Sequence, residues 1–383
     1  MLKKTMTIKG TYLVTVLISV LLIVIGNKIA VSGLFVFNEF KQEVVKAKVE
    51  KIIERTLPEE FFEDFLPRQG EKLIFEARIT NGEKKGEYVT ASQSDSGYSR
   101  VTEKEVVPGD SILLIYINDT WNFNGYSRTN GLLILGILFT LSVILFGGTK
   151  GFNTILSLGL TCGSIFAVFI PAILSGKNIY VMSILVCAYT ITMTLLIVIG
   201  INKKSLTAAI GCGSGVLVTG IITVVMEKVL LLTGIVDENS RYLANLPFLP
   251  AGTQLNLKAI IFAGIIIGAM GAIMDVAMSI SSSLWEIKEK AGKIKFQALF
   301  RSGLNIGRDI MGTMANTLIL AYIGSSLSVV LILSVYSGSF LSLFNSEMIV
   351  VEILQALTGS IGILSAMPLT ALFCSILYLN RKN

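Results

Sequence analysis

Residues 257–282 have the sequence LKAIIFAGIIIGAMGAIMDVAMSISS, in which only Lys258 and Asp275 are charged. An α-helix needs about 20 apolar residues to cross the hydrocarbon core of a bilayer, and this stretch is long enough to do so. The whole chain of 383 residues shares its character, since 52% of the residues are hydrophobic and 15% are charged. Soluble domains carry about 25% charged residues. The composition therefore predicts a polytopic α-helical membrane protein.

Similar stretches recur along the chain and together predict about eight transmembrane helices. The predicted spans are residues 11–31, 131–146, 152–174, 179–201, 207–232, 257–282, 310–335 and 358–379. The first span is too long for the apolar part of a signal peptide, so we expect it to remain as an uncleaved anchor. The alternative for the seventh span is a break at the Gly-Ser-Ser sequence of residues 324–326, which would give two shorter helices.

Lysine and arginine are concentrated in alternate loops, and this asymmetry predicts the orientation of the chain. Fourteen of these residues fall in segments that lie inside if the N-terminus is inside, against three in the outer membrane loops. The inner set is Lys3, Lys4, Lys9, Lys150, Lys203, Lys204, Lys288, Lys290, Lys293, Lys295, Arg301, Arg308, Arg381 and Lys382. We therefore expect a multipass protein of the bacterial cytoplasmic membrane with both termini cytoplasmic and residues 37–129 outside.

The net charge of +6 divides unevenly between these regions. Residues 37–129 contain 17 acidic and 13 basic residues, so the remaining chain carries +10, mostly in inner loops. The positive charge is thus explained by membrane topology, and we expect the lipid bilayer as a partner and no nucleic acid. The predicted domains are residues 1–36 (cytoplasmic N-terminus and anchor), 37–129 (extracytoplasmic and mainly β) and 130–383 (seven membrane helices with a cytoplasmic amphipathic linker at 284–303).

The outer segment has the pattern of a small β domain. Apolar and polar residues alternate over residues 44–49 and 72–79, as in half-buried strands. Gly-containing turns and a buried strand at 112–117 complete a pattern that is typical of a β-barrel of the OB or SH3-like kind. The acidic segment 58–65 is predicted to be a solvated loop or short amphipathic helix.

The composition argues against an enzyme. The chain has no histidine, which excludes Ser-His-Asp triads, Cys-His pairs and HExxH zinc sites. The four cysteines are isolated within predicted spans, and Asp309 lacks the G-x-G-D context of an intramembrane aspartyl protease. We therefore predict no catalytic residues, no metal site and no cofactor.

Two polar stripes in consecutive helices form the candidate site. Asp275 and Ser279 continue a stripe of small residues in the first helix, and Asn305, Asp309 and Asn316 form a stripe in the next. Arg308 lies at the edge of the second stripe. Ionisable groups at membrane depth rarely face lipid, so we expect Asp275, Arg308 and Asp309 to form a cluster of net charge −1 that suits a cation or a proton.

Other interpretations of the intramembrane charges remain open. Asp275 and Arg308 would also fit a structural ion pair that locks the two helices. Arg308 would also fit a side chain that extends to the inner surface. Glu227 lies beside Lys228 near the outer end of its span and predicts an interfacial ion pair.

Glycines and prolines suggest packing or hinge positions. Gly264, Gly268 and Gly271 occupy the stripe that leads to Asp275, where small residues permit close helix contact. Pro171 and Pro368 each follow a Gly-Ser pair in spans of opposite direction. They indicate either ordinary kinks or the broken helices of an inverted-repeat transporter.

The motifs of residues 268–280, 299–303, 307–309 and 316–322 resemble the YibE/F family of bacterial multipass membrane proteins. The resemblance covers residues 131 to the end, and the anchor with its outer domain makes the chain similar to the longer, YibE-type member. It implies a shorter YibF-type companion as a partner, beside the alternative of a homo-oligomer. Some members carry two adjacent carboxylates where this chain has Met274 and Asp275, so a metal-binding role drawn from them is weaker here.

The first functional hypothesis is a membrane transporter, or a subunit of one, that moves an ion or small solute coupled at the Asp275/Arg308/Asp309 cluster. The alternative is a non-transporting scaffold whose outer domain recruits an envelope partner. Each hypothesis predicts loss of function from a different change: substitution of Asp275 for the first, and deletion of residues 37–129 for the second.

Overall fold

A computed structural model describes residues 2–32, 43–56, 72–94, 104–246, 254–336 and 339–379. The acidic segment 58–65 and the basic residues Arg381 and Lys382 lie outside the described residues. The chain divides into two compact units, residues 36–142 and residues 1–35 with 143–383.

Helices dominate the structure, and six elements are long and apolar enough to cross a membrane among the described residues. These are Gly10–Val31, Thr129–Leu174, Ile179–Val198, Lys203–Val229, Leu257–Ala291 and Glu347–Leu379. The predicted number of about eight spans is therefore not confirmed. The helices are α1 (Leu2–Val31), α2 (Thr129–Ser164), α3 (Ile170–Leu174), α4 (Ile179–Val198), α5 (Lys203–Val229), α6 (Glu238–Ala244), α7 (Leu257–Ala291), α8 (Phe296–Ser325), α9 (Leu327–Tyr336), α10 (Phe340–Asn345) and α11 (Glu347–Leu379).

The element Thr129–Leu174 corresponds to two of the predicted spans, and it contains a sharp bend. Gly148 has a positive φ of 55° with ψ −132°, which an L side chain rarely adopts. A Cβ atom added at Gly151 would collide with the Val143 carbonyl oxygen, although an unbroken helix would hold these residues about 12 Å apart. The chain therefore turns back on itself at Gly148, between two helical segments.

The predicted seventh span, residues 310–335, is divided between two helices. α8 begins at Phe296, well before the predicted span, and ends at Ser325. Ser326 separates it from α9, which has only 10 residues. The division falls at the Gly-Ser-Ser sequence, where small residues and side-chain hydroxyls weaken the helix.

The predicted amphipathic linker 284–303 is not a separate element but is divided between the end of α7 and the start of α8. Gly292, with φ 64°, ends α7, and α8 starts four residues later. Leu284 and Leu299 are both fully buried in the helical core. These two leucines thus pack inside the protein at the ends of α7 and α8, whereas Phe296 of the same segment is exposed.

Helices α5, α7, α8 and α11 form the centre of the helical unit, and small residues bring them close together. A Cβ atom at Gly215 of α5 would lie 2.8 Å from the Ala366 Cβ of α11 and 2.8 Å from the Ile273 Cγ2 of α7. Gly303 of α8 is as close to Ala371 of α11. This is the packing that small residues allow between apolar helices.

The other unit contains a five-stranded barrel, as predicted. Its strands are β1 (Val44–Thr56), β2 (Lys72–Ile79), β3 (Tyr88–Ser94), β4 (Ser111–Ile117) and β5 (Thr120–Tyr126). They close in the order β1-β2-β3-β5-β4, with β3 parallel to β5 and the other pairs antiparallel. This is the Greek-key order of OB barrels, so the structure decides between the OB and SH3-like alternatives. Alternate side chains, among them Phe75, Ile112 and Leu114, fill the core.

Candidate functional site

The stripe that leads to Asp275 lies on the exposed side of α7. Gly264, Gly268, Gly271 and Asp275 are all exposed, whereas the opposite side of α7 is buried against α4, α5 and α11. Ser279 continues the stripe and is half-buried. The helical spacing of these residues predicted a common side, and the described residues leave that side uncovered except at Gly268, where Tyr322 of α8 packs.

α8 is strongly amphipathic, and its polar side is also exposed. Gly303 and Gly307 are buried where they pack against Ala371 and Met367 of α11. The polar residues of α8 lie away from this contact and are exposed. They are Asn305, Arg308, Asp309 and Asn316.

Two contacts define which residues of α7 and α8 lie opposite each other. A Cβ atom at Gly268 would lie 2.8 Å from the Tyr322 hydroxyl, and one at Gly303 would lie 2.9 Å from the Leu284 Cδ1. Residue counting along both helices then places Asp275 opposite about residues 312–315 of α8. Arg308 is about 6–10 Å from that level along the axis, at 1.5 Å per residue.

The structure brings Asp275 and Arg308 to neighbouring helices but does not pair them. Arg308 precedes Tyr322 by about four helical turns, so it lies on the side of α8 that borders α7. Asp309 follows Arg308 and is turned about 100° away from it. Within the described ranges no ion pair joins Asp275 or Asp309 to Arg308, and the ion pairs found lie in the barrel. The difference in depth explains why the predicted lock between α7 and α8 is not formed.

The glycines and prolines of the predicted site have different surroundings. Gly268 makes a close contact, but a Cβ atom at Gly264 or Gly271 would meet no atom within 4 Å. The close-packing role expected for Gly264 and Gly271 is therefore not found among the described residues. Pro171 follows a π-helical turn at Ile165–Phe169, and Pro368 lies inside the continuous helix α11.

A buried hydroxyl network joins three helices and was not predicted from the sequence. Tyr378 of α11 shares hydrogen bonds with Thr207 of α5 at 2.8 Å and with Ser281 of α7 at 2.7 Å. The two smaller hydroxyls are also 2.8 Å apart. A tyrosine inside an apolar span was the available signal, because a buried phenol usually finds a hydrogen-bond partner.

Glu227 is also placed differently from the sequence interpretation. It is buried and accepts a hydrogen bond from the Tyr180 hydroxyl at 3.1 Å, while Lys228 is exposed and makes no ion pair with it. Adjacent residues on a helix point about 100° apart, so the predicted Glu227–Lys228 pair is wrong. No group of three or more acidic or cysteine side chains that could hold a metal ion occurs in the described part of the chain.

The long apolar helices and their small-residue contacts define this chain as a polytopic α-helical membrane protein. The model of the YibE/F-like protein family matches residues 135–380, which is most of the chain. The chain therefore belongs to the YibE/F family, a family of bacterial membrane proteins. This confirms the resemblance of its motifs. No curated protein and no solved structure matches the chain.

Proposed function

We propose that this protein moves a cation or a proton across the membrane along the exposed polar sides of α7 and α8, with Asp275 as the coupling residue. One observation carries the proposal: Asp275 is exposed near the middle of α7 and has no ion-pair partner among the described residues. A lone carboxylate in hydrocarbon is costly, and such groups normally face a bundle interior or a water-filled cavity. Water along this side of α7 meets that requirement.

The stripe on α7 is suited to contain water at Gly264 and Gly271, on either side of the Tyr322 contact at Gly268. Gly264 and Gly271 leave open space beside the helix, since no atom lies within 4 Å of where their Cβ atoms would be. The polar residues of α8 extend the wet surface towards Arg308 and Asn305. Asp275 and Asp309 together with Arg308 have a net charge of −1, which favours a cation over an anion.

We further propose the membrane orientation that the positive charges predict. Both termini are cytoplasmic, the barrel is extracytoplasmic, and the bend at Gly148 together with α8 and α9 completes about eight crossings in a bacterial cytoplasmic membrane. The chain is then a YibE-type member, and a YibF-type companion or a second copy is its proposed membrane partner.

Water access is testable without knowing the solute. Gly271→Cys introduces a thiol beside Asp275, and Gly136→Cys introduces one on α2, where the added side chain also meets no atom within 4 Å. Both variants are made in a Cys162→Ser background, because Cys162 is the exposed native cysteine among the described residues. We expect a membrane-impermeant maleimide to label Gly271→Cys and to leave Gly136→Cys unlabelled, because the reactive thiolate forms in water and not in lipid.

Equal labelling of these two cysteine variants, or no labelling of Gly271→Cys, would contradict a water-filled pathway. The second result would show that another subunit or lipid covers the stripe.

Ion movement is tested with the full chain in proteoliposomes on a solid-supported membrane. Proton, Na⁺ and K⁺ gradients are applied separately to wild type, Asp275→Asn and Glu83→Gln, the last being an exposed carboxylate of the barrel unit. We expect a current with at least one cation, its loss in Asp275→Asn, and its retention in Glu83→Gln. Wild-type currents in Asp275→Asn would refute the assigned role.

The second candidate is a scaffold, and the barrel favours it. Its five strands all pair within the closed barrel and enclose their own core, which makes it a self-contained unit that can present a binding surface. In a strain that lacks the gene, a scaffold predicts that Asp275→Asn restores growth and that a chain without residues 37–129 does not. Restoration by the shortened chain would exclude the scaffold.

A further inference from the structure

Glu227 is a buried carboxylate that the pathway along α7 and α8 does not use. It lies in the last turn of α5 and is only 5% exposed. Tyr180 of α4 donates its hydroxyl to the Glu227 Oε2 atom at 3.1 Å. The Tyr180 ring packs on Phe262 of α7, with ring centroids 4.9 Å apart, and this contact holds the donor in place.

The second oxygen of this carboxyl group differs from the first, because no described residue forms a hydrogen bond with it. Oε1 of Glu227 is buried and has no hydrogen-bond partner among the described residues. The titratable groups that face Glu227 are Tyr180 from α4 and Lys258 from α7, and Lys258 is exposed and forms no ion pair with it. Near the same end of α5, α11 contributes apolar residues such as Val351.

A metal ion does not fit this position. Hard cations require several oxygen ligands, and Glu227 belongs to no group of three or more acidic or cysteine side chains that could hold a metal ion among the described residues. A permanently charged carboxylate with one hydrogen bond would be very costly at this burial. Binding of one proton removes the charge and occupies the unpartnered oxygen.

We propose that Glu227 is a proton-binding site in which Oε1 takes up the proton and the Tyr180 hydroxyl holds Oε2. Uptake converts the carboxylate to a carboxylic acid by adding one proton from water at the nearby end of α5, and release returns that proton. Tyr180 acts as a positioning residue. The assignment does not depend on transport, since Glu227 and the Asp275 stripe are separate features.

The proton is observed directly by infrared difference spectroscopy of the purified full chain between alkaline and acidic pH. A protonated carboxyl group has a carbonyl band that a carboxylate lacks. We expect Glu227→Gln to lose one such band, and Glu238→Gln, an exposed carboxylate of α6, to keep it. Tyr180→Phe keeps the band but moves it to higher frequency, because the hydrogen bond to Oε2 is lost.

Either of two results would contradict proton binding at Glu227. The first is a Glu227→Gln spectrum identical to wild type at every pH. The second is an unchanged band position in Tyr180→Phe, which also decides the matter if Glu227→Gln fails to fold. These measurements need no solute, so absent currents in proteoliposomes would leave the proton site standing.

Discussion

A single methyl group at Gly215 tests the close packing at the centre of the helical unit. In Gly215→Ala the new Cβ atom would lie 2.8 Å from both the Ala366 Cβ and the Ile273 Cγ2, and 3.1 Å from the Gly362 carbonyl oxygen. Carbon atoms pack best at about 3.5–4.0 Å, so α5 must move away from α7 and α11. Overpacking of this kind costs about 1–3 kcal/mol.

Gly271→Ala is the matched control, because its added methyl group meets no atom within 4 Å. Both substitutions gain about 1 kcal/mol of helix propensity, which cancels when the variants are compared. We therefore expect Gly215→Ala to be about 1–3 kcal/mol less stable than Gly271→Ala in reversible unfolding by SDS in mixed micelles. Equal unfolding free energies would refute the tight contact between α5, α7 and α11.

Two further predictions concern polar contacts. Tyr378→Phe removes the shared hydroxyl of the three-helix network, while Thr207 and Ser281 still bond each other. We therefore expect the unfolding free energy to fall by about 1 kcal/mol in the same assay. The control Tyr242→Phe, at an exposed position, should leave the unfolding free energy unchanged. The backbone amide of Ser240 donates to Asp237 at the N-cap of α6 and lowers the pKa of that carboxyl from 3.8. The stabilising effect of this hydrogen bond on α6 is therefore complete above pH 3.8, the ordinary pKa of the carboxyl group, and is lost as the pH falls through the lower pKa of the folded state. Hydrogen-exchange protection of α6 should fall in that range, and protection that is independent of pH would contradict the cap.

Much of the architecture could be predicted from the sequence, because hydrophobic length and periodicity act locally. Runs of about 20 apolar residues can satisfy their backbone hydrogen bonds in lipid only as helices, so the membrane class followed directly. Alternation over residues 72–79 likewise predicted a strand of a small barrel. The choice of an OB barrel required the parallel pairing of β3 with β5, which depends on residues far apart in sequence.

The candidate site was predictable only in part. Helical spacing correctly placed Gly268 and Asp275 on one side of α7, and Asn305 with Asp309 on one side of α8. Spacing carries no information on the relative depth of two helices. The packing of Tyr322 over Gly268 sets that depth, and it separates Asp275 from Arg308.

The sequence by itself determined that this chain is a membrane protein of the YibE/F family with a small β-barrel, since composition, periodicity and motifs are properties of single segments. The tertiary structure alone decided that Asp275 is exposed and forms no ion pair with the described residues, and that Glu227 is buried against Tyr180. The physical reason is that exposure and hydrogen bonding depend on which helix covers a given side. That choice follows from the contacts of glycines such as Gly215 and Gly303, which allow α5, α8 and α11 to approach closely, whereas Gly264, Gly271 and Asp275 of α7 stay exposed among the described residues.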